Sequence, residues 1–231
     1  MVIIAVVLTL AICLLADWWL QRRERAGAAV PSPSTRPRPL PALDPPAHAG
    51  GFRLQEEMAY HPGHAWAFVE GPDQVRIGVD DFARCLLGGI DGIELPAVGT
   101  RLQQGQQAWT LRRTDRRAPM LSPLSGRVVQ VNPRLLEDPQ LAHADPYGEG
   151  WLMLVRADAL RANLNNLLSG RLVRHWLEDV SARLRVILHG DRGAGIGFSF
   201  PDGGTAVEDI GSLLSDEKWD DAIREFLLTD P

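Results

Sequence analysis

The stretch AWAFVEGPDQVRIG, residues 65–78, decides the fold class of this 231-residue chain. Two strand-like runs alternate around the turn Gly71-Pro72-Asp73, which is the pattern of a β-hairpin. Further short strand-like runs follow at residues 92–95, 107–111, 126–131 and 151–155, and glycine or proline marks the breaks between them. Many short strands separated in this way are typical of a small barrel or sandwich. The sequence therefore predicts a mainly β module.

One helix is predicted between the first strands and the later ones. Residues 81–87, DFARCLL, place Phe82, Cys85 and Leu86 on one helical face. Asp80 stands directly before this run, where a short acidic side chain can cap the free N–H groups of the first turn.

Five ordered motifs lie around these elements. They are Tyr60, His64 and Trp66, then GVDDFA at residues 78–83, ELPAVGT at 94–100, SPLSGRVVQVN at 122–132 and DPYGEGWL at 145–152. In residue type and order they resemble the H protein of the glycine cleavage system, over roughly residues 54–165. The resemblance implies a barrel-sandwich hybrid of the lipoyl type with added α-helices. It also implies a carrier without catalytic activity of its own, so no catalytic residues are expected.

The carrier chemistry that the resemblance implies depends on one lysine. In the family this lysine sits on a hairpin turn and holds lipoate, which carries an aminomethyl group between the enzymes of the system. Counting back without gaps from Ser122 places Asp115 at the lysine position, within RRTDRR at residues 112–117. Neither a carboxylate nor a permanently protonated guanidinium can form the amide that a lysine amine forms. The single lysine of the chain is Lys218, far outside the module, so we expect no lipoate and no other cofactor.

Four arginines surround Asp115 and form a local basic group in a chain of net charge -5. Exposed arginines can pair with anionic lipid headgroups or grip the carboxylates of a protein partner. A solvated turn without a role is the alternative. The candidate interaction turn therefore consists of Arg112, Arg113, Arg116 and Arg117.

Composition excludes several other classes of function. The negative net charge argues against a general nucleic-acid binder. Cys13 and Cys85 are too few for a disulfide framework or a zinc quartet. His61 and His64 lack a third ligand nearby, so we expect structural roles for both and no metal site. No nucleophile-base set, P-loop or dinucleotide-binding fingerprint is present in the sequence.

The N-terminal residues predict a membrane anchor. Residues 2–20 are almost wholly apolar and would span roughly 28 Å as a helix, close to the ~30 Å hydrocarbon core. Trp18 and Trp19 match an interfacial aromatic belt, and Arg22, Arg23 and Arg25 follow at once. Residues 1–25 are therefore predicted to be a single-pass anchor in the cell (inner) membrane, with the rest of the chain in the cytoplasm. A cleaved signal peptide is the alternative, but it would carry its positive charges before the apolar run.

The remaining segments lie before and after the predicted module. Residues 26–50 are proline-rich and predict an extended tether. Residues 51–160 are the predicted module, and residues 161–231 a helical extension in which Gly170 separates two helices. Residues 206–213 and 216–228 predict two more amphipathic helices, which could dock on the module or on a partner. Trp219, Ile223, Phe226 and Leu227 share the apolar face of the last helix.

Two functions follow from these features. The first is a membrane-tethered, non-lipoylated module that acts as a non-catalytic protein-interaction or scaffold domain. The second is a genuine lipoyl carrier of glycine cleavage or one-carbon metabolism, which would need an acceptor that the sequence lacks. A weaker third idea is a scaffold that presents or accepts the lipoyl arm of another protein.

Overall fold

The computed structural model describes residues 44–191 and 209–229. Within these two ranges, no helix is both long and apolar enough to cross a membrane. The predicted anchor at residues 2–20 lies outside the described residues, as does most of the proline-rich tether, so both stay predictions.

Short antiparallel strands dominate the described part of the chain. The strands are β1 (Ala47–Ala49), β2 (Phe52–Leu54), β3 (Ala59–His61), β4 (Ala65–Val69), β5 (Gln74–Val79), β6 (Gly92–Glu94), β7 (Arg101–Leu102), β8 (Gln107–Arg113), β9 (Arg116–Leu121), β10 (Gly126–Val131) and β11 (Met153–Ala157). The helices are α1 (Asp81–Leu87), α2 (Pro133–Glu137), α3 (Leu141–Ala144), α4 (Leu160–Asn165), α5 (Arg171–Asp191) and α6 (Asp216–Ala222), with a 3-10 turn at Gly211–Leu213 and a π-helical turn at Ile223–Leu227.

The strands form one large sheet and two small ones. The large sheet has the order β3-β4-β5-β11-β10-β7, a second sheet has the order β6-β8-β9, and β1 pairs with β2. Every pairing is antiparallel. Buried side chains from the sheets and the helices pack into one continuous hydrophobic core. The prediction of a mainly β fold with added helices is confirmed.

The predicted hairpin at residues 65–78 is confirmed as β4 and β5. Its register places Trp66 opposite Gly78. A Cβ atom at position 78 would approach the Trp66 ring to 2.4 Å, so glycine leaves the room that the indole occupies. The glycine therefore makes room for the fully buried Trp66 ring beside the neighbouring strand.

The predicted helix and its cap are also confirmed. The Asp80 carboxylate accepts the Ala83 backbone N–H at 2.9 Å and caps α1. Its other oxygen lies 2.7 Å from Nδ1 of the buried His64. One carboxylate therefore joins the start of α1 to the turn between β3 and β4.

Three elements differ from the sequence-based expectations. Strand β1 lies inside the predicted 26–50 tether, because residues 47–49 pair with residues 52–54. Residues 112–117 are not one turn, since strand pairing continues to Arg113 and resumes at Arg116. In the predicted helix at 206–213, the described part contains only the single 3-10 turn at Gly211–Leu213.

The C-terminal extension docks on the module of its own chain. Gly170 has a φ of 57° and separates α4 from α5, as predicted. Phe226 packs edge-on against Phe82 of α1, with ring centres 5.1 Å apart. The predicted apolar face of the last helix is buried, at Trp219, Ile223, Phe226 and Leu227.

Candidate functional site

The tip of the β8–β9 hairpin is the site that the sequence singles out. Arg113 pairs with Arg116 across the two strands, so Thr114 and Asp115 alone form the turn. Thr114 has a φ of 52°, a conformation that branched side chains rarely adopt. Its N–H donates to the Asp91 carboxylate at 2.6 Å, which helps to hold this backbone in place. Asp115 is exposed and makes no hydrogen bond or ion pair within residues 44–191 and 209–229.

Arg113 turns away from the tip and binds the C-terminal part of the chain. Its two terminal nitrogens donate to the two carboxylate oxygens of Asp209, at 2.5 and 2.7 Å. The nitrogen nearer α1 also donates to the Leu87 carbonyl at 2.7 Å. The hydrogen bonds from Arg113 lower the pKa of the Asp209 carboxyl below its usual value. This paired, charge-assisted geometry is the strong form of an arginine–carboxylate contact.

Arg116 binds the same part of the chain at three acceptors. It donates to the carbonyl of Gly211 at 2.6 Å, to that of Leu214 at 3.1 Å, and to the Asp216 carboxylate at 2.8 Å. Its guanidinium also lies 4.8 Å from the centre of the Trp219 ring, within the range of a cation–π contact.

Arg112 and Arg117 occupy the opposite side of the hairpin. Both approach the carboxylate of Glu94, at 3.7 and 2.7 Å. Their side chains are 47% and 60% exposed, whereas those of Arg113 and Arg116 are 30% and 27% exposed. Of the four arginines expected to be exposed, Arg112 and Arg117 are therefore the more exposed pair. Each of the four already has a carboxylate partner.

The acceptors of Arg113 and Arg116 are residues that sequence reasoning missed. Asp209 and Asp216 follow their arginine partners by 96 and 100 positions. The only signal in the sequence is the placement of acidic residues just before and at the start of the last amphipathic helix. Charge complementarity with RRTDRR is visible there, but contact is not, because nothing local in the sequence brings the two segments together.

Lys218 lies in α6, away from the hairpin turn. Its side chain is half-buried, and its Nζ lies 3.4 Å from the backbone carbonyl of Ile187 in α5. The neighbouring Trp219 is buried in the core. The amine therefore lies between two helices and not at the hairpin tip.

The two histidines have structural surroundings. His64 is fully buried, and its ring stacks between Phe82 and Trp176 at centre distances of 4.0 and 4.6 Å. Nδ1 of His61 accepts the Gly63 N–H at 3.0 Å. Among the described residues, no three His, Cys, Asp or Glu side chains are placed to hold a metal ion.

The family model and the curated relatives agree on one family. The family model for the glycine cleavage H-protein matches residues 58–180. A glycine cleavage system H protein of Xanthomonas campestris pv. campestris is 37% identical over 123 residues, covering 53% of this chain and 93% of the relative. One from Mycobacterium tuberculosis is 33% identical over 131 residues, covering 54% of this chain and 98% of the relative. The crystal structure of a Mycobacterium marinum H protein matches 51% of this chain and 93% of that protein at 30% identity, with a TM-score of 0.46.

The buried His61 predicts a loss of stability in mild acid. Burial, and secondarily the neighbouring His64, lower the pKa of His61 from 6.5 to about 4. Below pH 6.5 His61 becomes protonated in the unfolded chain, whereas in the folded chain it becomes protonated only near pH 4. The free energy of unfolding should therefore fall as pH drops through this window, by up to about 3 kcal/mol from this group.

Denaturant unfolding of His61→Asn between pH 7 and pH 4 isolates this contribution. The asparagine carbonyl can still accept the Gly63 N–H but binds no proton, so the variant should show a shallower pH dependence than the wild type. His175→Asn is the matched control, because His175 is 77% exposed. An unchanged pH dependence in His61→Asn would contradict the assignment.

Proposed function

The chain belongs to the glycine cleavage H-protein family, and we propose that it is a membrane-tethered, non-lipoylated member that serves as a protein-interaction module. The observation that carries this proposal is Asp115 at the tip of the β8–β9 hairpin. H proteins carry lipoate and do not catalyse a reaction themselves, so the proposed role keeps the fold and replaces the carrier function by binding.

The residues at the hairpin tip do not fit a covalently attached lipoyl group. Attachment requires an amine that can form an amide, and the tip offers a threonine hydroxyl and a carboxylate. The flanking arginines cannot substitute, because the guanidinium stays protonated at any working pH. Arg113 and Arg116 are moreover engaged with the C-terminal part of the chain.

Lys218 is a poor substitute for the missing acceptor. A carrier arm must reach successive active sites, whereas the Lys218 amine is directed at the Ile187 carbonyl between α5 and α6. Moving it outward would forfeit this contact and the burial of its aliphatic stem.

The alternative function is a genuine lipoyl carrier. It is favoured by the match to nearly the whole length of curated glycine cleavage system H proteins, at 93% and 98% coverage. The chemistry of Asp115 argues against it. Direct detection of lipoate separates the two functions.

Partner contact is proposed on the exposed side of the hairpin. Arg112 and Arg117 share the single carboxylate of Glu94, so each retains donors that a carboxylate-rich protein can accept. Such a contact is electrostatic and exposed, so it should contribute specificity and weaken in high salt.

Tethering to the inner face of the cell membrane is the second part of the proposal. It is supported by the apolar run at residues 2–20, the tryptophans that end it and the arginines that follow. Because β1 begins at Ala47, the tether available to the folded module comprises residues 26–46. At about 3.1 Å per residue in an extended polyproline conformation, this length lets the module work tens of ångströms from the bilayer.

The purified protein is expected to carry no lipoate. Co-expression with a lipoate–protein ligase, followed by intact-mass spectrometry, should give the unmodified mass, because no lysine lies at the hairpin. An authentic H protein expressed in the same way is the positive control, and Lys218→Arg tests the one remaining lysine. A lipoyl-sized mass increment mapped to any residue of the wild type would favour the carrier function.

The full chain is expected to remain in the membrane fraction after carbonate extraction. A chain that begins at residue 44, which keeps the β1–β2 pair, should be recovered in the soluble fraction. N-terminal sequencing of the membrane-bound protein provides the decisive check. A mature terminus near residue 30 would mean that a signal peptide had been removed and that the module is not tethered by this segment.

A further inference from the structure

Residues 209–229, here called the C-terminal segment, lie outside the part of the chain that the family shares. The family match ends at residue 180, and the relatives match over 93% and 98% of their own length. The shared module is therefore nearly complete in those relatives without this segment. In this chain the segment covers one side of the hairpin and the adjacent helix α1.

On the hairpin, the polar contacts with the segment come from two arginines. Arg113 binds the Asp209 carboxylate with two hydrogen bonds. Arg116 binds two backbone carbonyls, the Asp216 carboxylate and the face of Trp219. Because these groups are only half-buried or exposed, salt can screen the attraction between them.

The segment also lies directly on α1. Ile210 donates its N–H to the Cys85 carbonyl at 2.9 Å. A Cβ atom on Gly211 would lie 2.5 Å from the Leu86 carbonyl oxygen, so the two backbones are in close contact. The Cys85 side chain is only 1% exposed.

The sequence between the two described ranges is long enough for the segment to detach while α5 stays in place. Seventeen residues, 192–208, connect Asp191 to Asp209. An extended chain covers about 3.3 Å per residue, so this connection can reach roughly 50 Å. The connection is therefore long enough for the segment to leave the module while the sheets stay folded.

We propose that the C-terminal segment is a releasable cover over a protein-docking surface formed by Arg113, Arg116 and α1. The chemistry of the partner follows from the occupant already seated there. A competing protein would present an acidic helix whose carboxylates meet the two arginines and whose tryptophan lies beneath Arg116. This inference rests on the proposed interaction function, and it adds that one side of the hairpin is available only when the cover opens.

Cys85 provides a built-in probe of the opening. In the full-length chain with Cys13→Ser, in detergent, Cys85 is the sole thiol, and its alkylation rate by N-ethylmaleimide reports exposure of α1. Asp209→Asn removes the charge that Arg113 binds, while its amide oxygen can still accept the Ser212 N–H. Arg117→Ser is the matched control, because Arg117 binds Glu94 and not the segment. Amide hydrogen exchange of β4 and β5 measures global unfolding in the same samples.

The expected result is that Cys85 is alkylated faster than the global unfolding rate measured by hydrogen exchange in β4 and β5. Asp209→Asn should raise the rate about five- to tenfold at 10 mM salt without changing exchange in β4 and β5. Raising the salt to 1 M should raise the wild-type rate more than that of Asp209→Asn. Cys85 reacting only at the rate of global unfolding, or Asp209→Asn behaving like Arg117→Ser, would show that the segment is a fixed part of the core and overturn the proposal.

A labelled peptide of residues 209–229 tests the docking surface itself. Fluorescence anisotropy should show binding to full-length Asp209→Asn, whose own segment is loosened, and weaker binding to the wild type. Adding Arg113→Ser and Arg116→Ser to that variant should abolish the binding. No binding to Asp209→Asn, or binding that survives loss of both arginines, would overturn the docking surface. Neither result depends on whether the protein carries lipoate, so failure here is separable from failure of the proposed function.

Discussion

The bidentate pair between Arg113 and Asp209 is the interaction on which the functional side of this structure depends. It joins the end of the hairpin to residues that come 96 positions later, and Arg116 extends the same contact to Gly211, Leu214 and Asp216. Because Arg113 and Arg116 both contact residues 209–216, this side of the hairpin is covered by the C-terminal segment. Arg112, Arg117 and the turn residues Thr114 and Asp115 are exposed to solvent.

This constraint changes what the hairpin can do. A carrier needs a reactive amine at the tip, whereas the tip of this hairpin consists of Thr114 and Asp115. Thr114 is held by Asp91, and the arginines on either side are paired with Asp209 and Asp216. The absence of a lysine at the hairpin and the presence of the C-terminal segment act in the same direction. Under the proposed function, both replace a tip that would carry a mobile arm by a surface that other proteins can recognise.

Much of the module could be predicted from sequence because its signals are local. The β4–β5 hairpin follows from alternation around a turn, and the α1 cap follows from Asp80 before an amphipathic run. The roles of Arg113 and Arg116 could not be predicted in the same way. Their partners are distant in sequence. A run of arginines predicts exposed charge, and only the folded structure shows which carboxylates lie opposite it. Strand β1 was missed because residues 47–49 gain their pairing only from residues 52–54, in a segment rich in proline.

A double-mutant cycle between Arg113 and Asp209 tests the central claim most directly. Unfolding free energies of the wild type, Arg113→Ala, Asp209→Ala and the double variant give the coupling between the two side chains. For a partly exposed, two-hydrogen-bond pair we expect a favourable coupling of about 1 kcal/mol that shrinks in high salt. A coupling near zero, within about 0.3 kcal/mol, would contradict the claim that this pair holds the C-terminal segment on the hairpin.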